Sequence, residues 1–186
     1  MNETPLRYLS DDRGAMLLAL VAAGTAGQRD EVPVGALLRD GAGRFLGECG
    51  NNRLAARDPT GHAELHLLRQ VAERVGSDRL PGTRLAVTLE PCSMCMAALA
   101  MARVATVFYE AHTLLASQGE DALRKGMVVH HYPATDVCTE DDVPDGNQPF
   151  GGSDHASRRG PVADAAFLLR IFFDKRRQIC SNASSR

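Results

Sequence analysis

The sequence predicts an α/β protein, a three-layer α/β/α sandwich built on a mixed sheet of about five strands. The first observation is a hairpin, because strand-like runs at 34–38 and 45–49 flank the turn-rich segment 39–44. The second is the regular alternation of helix-like and strand-like segments that follows. The third is the composition, 44% apolar and 24% charged over 186 residues, which fits a single domain at 1–186 with a sizeable core.

The spacing of apolar residues along the chain predicts the individual helices and strands. A helix is predicted to begin at Ser10, because two acidic residues follow it and Met16, Leu17, Leu20 and Val21 form a one-sided apolar stripe. After the hairpin, helices are predicted at 60–74, 91–102 and 114–125, and strands at 84–89, 104–109 and 127–132.

The C-terminal third is predicted to differ from the rest. Residues 135–161 are rich in acidic residues and glycine without apolar periodicity, which predicts a long loop, either a lid over a site or a flexible insertion. A final helix is predicted at 162–179, where apolar residues recur on one face.

Two short motifs carry the chemistry of the chain. They read Thr60-Gly61-His62-Ala63-Glu64 and Glu90-Pro91-Cys92-Ser93-Met94-Cys95. A catalytic zinc ion takes three nitrogen or thiolate ligands and leaves a fourth position for water. His62, Cys92 and Cys95 supply such a set, since the two cysteines are three residues apart at a predicted helix start.

Glu64 is predicted to act as the proton shuttle rather than as a ligand, because it follows His62 by two residues. The combined pattern matches the zinc deaminase signature H-x-E…P-C-x-x-C. Taken separately, each half has another explanation, a redox pair for the cysteines or a surface pair for His62 and Glu64. Their joint occurrence, with a proline before the first cysteine, favours the zinc site.

The chain resembles the cytidine and deoxycytidylate deaminase superfamily, in particular the branch with bacterial tRNA adenosine deaminases, guanine deaminases and fungal-type cytosine deaminases. The matching segments are Glu31-Val32-Pro33-Val34-Gly35-Ala36, Asp58-Pro59-Thr60-Gly61-His62-Ala63-Glu64, Thr88-Leu89-Glu90-Pro91-Cys92-Ser93-Met94-Cys95 and Ala102-Arg103-Val104-Ala105-Thr106-Val107-Phe108-Tyr109. The fold of that family agrees with the one predicted above.

The resemblance implies further site residues. In the family, the segment that enters the first strand forms one wall of the base pocket. This makes Val34 a candidate substrate-binding residue. Asn51, ahead of the first motif, is similar to a substrate-contacting Asn of guanine deaminases, with Asn52 as the alternative. The backbone N–H of Ala63 is implied to hold the carbonyl-like edge of the substrate, and relatives are commonly homodimers.

The composition limits the possible binding partners and the cellular location of the protein. The formal net charge of −2 gives no overall basic field, so a nucleic-acid partner would have to meet a local patch. No signal segment and no apolar run of about 18 residues is present, which predicts a cytoplasmic protein without a membrane span. The three cysteines outside the metal set show no disulfide spacing.

The predicted reaction is therefore zinc-dependent hydrolytic deamination of a cyclic amidine, with release of ammonia. A free nucleobase or related heterocycle, guanine first, is the predicted substrate. The region 109–119 lacks the Gly-Ala-Arg-Asp and later Gly-Ala-Gly-Ser stretches of the family's tRNA enzymes. Asn51-Asn52 also resembles the guanine deaminases, and the acidic loop at 135–161 would repel a phosphate backbone. The alternatives are a tRNA wobble adenosine deaminase, with tRNA as partner, and an inactive zinc-binding relative.

Overall fold

The structure is a computed structural model that describes residues 11–113, 126–133 and 165–183. Its helices are α1 (Asp12–Gln28), α2 (Ala63–Val75), α3 (Ser93–Met101) and α4 (Ala165–Ala183). Its strands are β1 (Gly35–Arg39), β2 (Phe45–Gly50), β3 (Arg84–Leu89), β4 (Thr106–Ala111) and β5 (Val128–His131). The predicted loop at 135–161 and the predicted helix at 114–125 lie outside the described residues.

The five strands form one mixed sheet in the order β2-β1-β3-β4-β5. β1 pairs antiparallel with β2 and with β3, while β3, β4 and β5 run parallel to one another. A hairpin makes the first pairing, and the parallel pairs require crossover connections, of which α3 is one. The predicted fold class and the predicted number of strands are confirmed.

Two helical layers cover the sheet, because side chains alternate between its faces along each strand. On one face, Leu38, Leu85 and Val107 pack with residues of α2 and α3 in the larger core. On the other, Leu37 and Phe108 pack with residues of α1 and the start of α4 in a smaller core. The result is the three-layer sandwich that the alternation of elements predicts.

The first helix begins one step later than the sequence predicts. Asp11 is its N-cap, with a carboxylate oxygen accepting the backbone N–H of Gly14 at 2.7 Å. An Asp carboxylate is a strong cap that also complements the helix dipole, so it takes the position predicted for Ser10.

The carboxyl end of β3 positions the site. β3 ends at Leu89, and the chain turns through residues 90–92 into α3. The start of β1 lies against this end of β3, where the N–H of Gly35 donates to Thr88 Oγ1 at 3.1 Å. Ligand sites in open α/β sheets form outside the carboxyl ends of strands, and the two predicted motifs meet at such an end here.

No helix among the described residues is both long and apolar enough to cross a membrane.

Candidate active site

The starts of two helices bring three potential metal ligands together. His62 is the N-cap of α2, Cys92 is the N-cap of α3, and Cys95 lies in the first turn of α3. His62 Nδ1 lies 3.7 Å from Cys92 Sγ and 3.5 Å from Cys95 Sγ. The two sulfurs are 3.7 Å apart. His62 thus lies beside two cysteines that follow it by 30 and 33 residues in the chain.

These distances fit a tetrahedral zinc ion. With bonds of about 2.3 Å to sulfur and about 2.0 Å to nitrogen, a tetrahedron separates two sulfurs by about 3.8 Å and a sulfur from a nitrogen by about 3.5 Å. One imidazole and two thiols also form the donor set of the zinc deaminases. His62, Cys92 and Cys95 therefore could hold zinc, and they are the only such cluster within the described ranges.

The predicted starts of these two helices, with Thr60 as N-cap of the first and Pro91 as the first residue of the second, are each wrong by two residues. Thr60 is not the N-cap of α2, because its Oγ1 donates to Asp58 Oδ1 at 2.7 Å in a turn that precedes the helix. Pro91 does not occupy the first helical position either, since Cys92 is extended and α3 begins at Ser93. The consequence is that a ligand residue, rather than a capping side chain, stands at each helix start.

Glu64 lies on the first turn of α2, next to the ligand cluster, and is only 3% exposed. Burial raises the pKa of its carboxyl group, while the neighbouring His62 acts in the opposite direction. Burial likewise raises the pKa of the Cys95 thiol, with the Glu64 carboxylate contributing in the same direction. A cation held between these groups would favour the charged form of each.

A cavity of about 480 Å³ opens directly over the cluster. The residues that line it are Val32, Val34, Asn51, Arg53, His62, Glu64, Leu89, Glu90, Cys92, His112, Thr113, Leu169 and Phe173. The structure thus brings the predicted residues Val34 and Asn51 to the same space as His62 and Glu64. Ala63 is fully buried at the start of α2, and its side chain does not line the cavity.

Sequence reasoning missed Glu31, although Glu31 opens one of the matching motifs. Its side chain is fully buried and accepts the Nδ2–H of Asn51 at 3.1 Å. It also accepts the backbone N–H groups of Leu54 and Ala55, both at 2.8 Å. The signal that could have found it is a Glu within an otherwise apolar run that leads into a buried strand.

Sequence reasoning also missed the residues that form the rim on the β4 side. Glu90 Oε2 lies 3.3 Å from His112 Nδ1 and accepts the backbone N–H of Thr113 at 3.3 Å. The ring of His112 lies 4.3 Å from the ring of His131, measured between centroids. Glu90 therefore fixes His112 and Thr113, the residues that follow β4, at the cavity.

The helix α4 supplies the opposite rim. Leu169 and Phe173, one turn apart, line the cavity, whereas Phe172 is buried against the fold. Arg170 and Arg177 are exposed on the turns that flank Phe173. Arg53 adds a guanidinium group to the cavity wall, while the charge of Arg177 is offset by its ion pair with Asp174.

Comparisons with known proteins agree with this geometry. The family profile of the cytidine and deoxycytidylate deaminase zinc-binding region matches residues 9–111. The chain is 44% identical over 121 residues to a tRNA-specific adenosine deaminase of Agrobacterium fabrum, covering 63% of this chain and 78% of that protein. The residues matched by the family profile include both ligand motifs and the helix α2 and strand β3 between them.

Two solved structures are similar in fold. One comes from biochemical and structural studies of A-to-I editing by tRNA:A34 deaminases at the wobble position of transfer RNA. It is 40% identical, with a TM-score of 0.58, and the match covers 63% of this chain and 90% of that one. The other is guanine deaminase from Bacillus subtilis, 28% identical with a TM-score of 0.53, covering 63% of this chain and 71% of that one.

The predicted free-base substrate, with guanine first, is wrong. Relatives that are 40–44% identical bear the name of tRNA deaminases, whereas the guanine deaminase is more distant. That prediction gave weight to the overall charge and to a stretch that begins at the end of β4, and neither reports which residues the fold brings to the cavity.

The inactive-relative alternative is not supported either. The ligand cluster, the buried carboxyl group beside it and the cavity above it agree with the comparisons on a zinc-dependent hydrolytic deaminase. Because the family profile spans more than half of the chain and includes all of these residues, the chain belongs to the cytidine and deoxycytidylate deaminase family.

Proposed function

We propose that this protein is a tRNA adenosine deaminase that converts a wobble adenosine to inosine and releases ammonia. The observation that carries the reaction is the meeting of His62, Cys92 and Cys95 with the buried Glu64 below one cavity. The 44% identity to a tRNA-specific adenosine deaminase supports the substrate.

In this proposal His62, Cys92 and Cys95 hold zinc, and Glu64 moves the protons. Zinc supplies water activation at neutral pH when it is bound. Glu64 takes one proton from water on the cavity side and delivers it to the ring nitrogen, then takes a second from the hydroxyl group added to the ring carbon and delivers it to the amine, which leaves as ammonia. The position of Glu64 suits this role, because its carboxyl group is buried beside the cavity, two residues from the proposed ligand His62.

Substrate binding is assigned to the walls of the cavity. Val34 presents an apolar surface at the entry of β1, and the Asn51 amide offers hydrogen-bonding groups to a heterocycle edge. The backbone N–H of Ala63, at the start of α2, is proposed to contact the same heterocycle. A base inside the cavity would leave its ribose and flanking nucleotides at the rim, since the cavity is open to solvent there.

The rim has a charge that suits a phosphate backbone. Arg53 lies in the cavity wall, and Arg170 is exposed one turn before Phe173 on α4. Phosphate contacts from arginine supply affinity that decreases with salt, while the cavity selects the base. The proposed partner is therefore an anticodon stem-loop, bound in the cytoplasm, where the sequence predicts the protein to be.

A homodimer is the proposed assembly. Every residue of α3 except Ser93 is apolar, yet Met94 is 36% exposed and Met101 is 80% exposed. A helix that is apolar on all sides is normally buried, so the outer side of α3 is suited to a second copy of the chain. Sedimentation of the zinc-loaded protein at several concentrations measures this directly.

The test of the proposed function is turnover by purified, zinc-loaded protein of an anticodon stem-loop with adenosine at the wobble position. Inosine is measured by nuclease digestion and mass spectrometry. The controls are the same stem-loop with guanosine at that position, and free guanine, cytosine, adenine and their nucleosides assayed for ammonia. The Glu64→Gln variant provides the blank.

We expect inosine at the wobble position and no comparable turnover of any free base. Raising the salt concentration should raise KM for the stem-loop and leave the zinc content unchanged. Turnover of guanine without turnover of the stem-loop would refute the tRNA assignment.

A further inference from the structure

Glu31 lies behind the cavity wall rather than in it. Glu31 itself does not line the cavity. Four residues that lie near it in the chain, or in the loop that it holds by hydrogen bonds, do line it: Val32, Val34, Asn51 and Arg53. Its side chain is fully buried, and its partners are three N–H donors. Burying a carboxylate costs free energy unless hydrogen bonds replace its contacts with water, and these three donors replace them.

We infer that Glu31 is a positioning residue that fixes the side-chain amide of Asn51 in one orientation and so sets the hydrogen-bonding groups that the substrate meets. This inference rests on the proposed function only in assuming that Asn51 contacts the substrate. It concerns the same cavity and adds a residue that acts through Asn51 rather than on the substrate.

The chemistry of the contact fixes the orientation. An Asn amide has two donors on Nδ2 and an acceptor at Oδ1, whereas an ionised carboxylate only accepts. Glu31 Oε2 lies 3.1 Å from Asn51 Nδ2. A flipped amide would place Oδ1 against Oε2, two acceptors without a proton between them. The Oδ1 atom and the remaining N–H of Asn51 therefore face the substrate at fixed positions.

The backbone around Asn51 is held by the same carboxylate. Glu31 Oε1 accepts the N–H groups of Leu54 and Ala55, and the N–H of Asn51 donates to the carbonyl oxygen of Val34 at 2.8 Å. The loop after β2 is thereby tied to the segment that enters β1. Both Glu31 oxygens are used, one for the loop backbone and one for the Asn51 amide.

Replacing Glu31 by Gln separates its two roles, which are to hold the loop backbone and to orient the Asn51 amide. A Gln at this position has one acceptor and one NH₂ group, and it must face two backbone donors on one side and Asn51 on the other. If its oxygen accepts from Leu54 and Ala55, its NH₂ group faces Asn51 and favours the flipped amide. The loop can thus be kept while the order of Oδ1 and N–H at the cavity is reversed.

The experiment compares Glu31→Gln with wild type in two backgrounds, with Asn51 present and with Asn51→Ala. Asp12→Asn is the matched control, because it makes the same carboxylate-to-amide change at the other end of β1 and β3, where Asp12 pairs with Arg39 and Arg84. The readouts are kcat/KM on whichever member of the substrate panel wild type converts, zinc content, and ¹⁵N NMR of the Asn51 side-chain amide.

We expect Glu31→Gln to keep its zinc, to shift the Asn51 Nδ2 resonances and to lower kcat/KM by about tenfold, the factor that one buried hydrogen bond provides. In the Asn51→Ala background the same change should alter kcat/KM by less than about twofold. Asp12→Asn should leave the Asn51 resonances in place.

An equal loss of kcat/KM in both backgrounds, or unchanged Asn51 resonances in Glu31→Gln, would overturn the inference and reduce Glu31 to a loop anchor. The NMR readout does not depend on the substrate. Failure of the stem-loop assay would therefore refute the proposed function while the Asn51 resonances still decide the role of Glu31.

Discussion

His62 Nδ1 lies 3.5 Å from Cys95 Sγ, although 33 residues separate the two in the chain. The contact exists because α2 and α3 both begin at the same end of the sheet, α3 directly after β3. Neither helix has a side-chain cap at its start, and in each case a potential ligand occupies the N-cap. A metal ion held there would join the two helix starts, so metal binding and stability are expected to be coupled.

Cys92→Ala should therefore lose both zinc and stability. Removing a direct ligand should lower zinc affinity by more than the roughly 10–100-fold that loss of an outer partner costs. The thermal midpoint should fall and become insensitive to added zinc. Zinc content by mass spectrometry and thermal unfolding with and without metal measure both effects.

Cys49→Ala is the matched control for that variant, because Cys49 is buried but bonds to Gln70 Oε1 at 3.2 Å instead of joining the cluster. It should retain full zinc. Wild-type zinc content in Cys92→Ala would remove Cys92 from the proposed ligand set.

Glu64→Gln should keep its zinc and lose activity. The amide has nearly the same shape but cannot accept and return a proton, and loss of a general acid–base group typically costs about 10²- to 10⁴-fold in rate. Inosine formation in single-turnover assays and zinc content together measure the outcome. Glu48→Gln, a change of an exposed residue on β2, controls for the altered charge. Loss of metal in Glu64→Gln would instead identify Glu64 as a ligand.

The local patterns predicted the fold and the ligand cluster better than they predicted the substrate. The spacing of Cys92 and Cys95 and the H-x-E motif depend on helix geometry, which a sequence specifies directly. Substrate choice depends on side chains that only tertiary structure brings to one cavity, such as Arg53, Glu90 and Phe173. Overall charge and short motifs do not report that set of residues, so they could not decide between a free base and tRNA.

The same distinction explains the errors at the helix starts and the omission of Glu31. Capping rules treat the side chain as serving its own helix, whereas Thr60 bonds to Asp58 and leaves the N-cap to His62. The hydrogen-bond partners of Glu31 are 20 or more residues away in the chain. No local sequence pattern therefore shows that its carboxylate finds hydrogen-bond donors when it is buried.

Cys49 should resist alkylation at neutral pH. Burial raises the pKa of its thiol from 9.0 to about 11, with the Glu48 carboxylate adding to the effect. The thiolate is the reactive form, so at pH 8 a shift of this size leaves about 100-fold less of it than in an unperturbed thiol. Reactivity should increase as the pH approaches 11.

Iodoacetamide labelling followed by peptide mass spectrometry measures the rate at Cys49 between pH 7 and pH 10. Unfolding in guanidinium should restore the rate of an ordinary cysteine, which controls for the chemistry of the reagent. Fast labelling of the folded protein at pH 7 would show that the thiol is neither buried nor shifted.

Gly35→Ala should destabilise the protein, whereas Gly24→Ala should not. A Cβ at Gly35, the first residue of β1, would meet the carbonyl oxygen of Ala19 and lie 2.5 Å from the backbone nitrogen of Ala23, both on α1. Backbone atoms cannot turn away as a side chain can, so α1 must move off the sheet, at a cost of about 2 kcal/mol or more in the free energy of unfolding. Nothing lies within 4 Å of a Cβ at Gly24, in the interior of α1, where Ala should stabilise by about 0.5–1 kcal/mol. Denaturant unfolding of zinc-loaded protein measures both changes, and a Gly35→Ala variant within about 0.5 kcal/mol of wild type would mean that α1 does not pack on β1 as described.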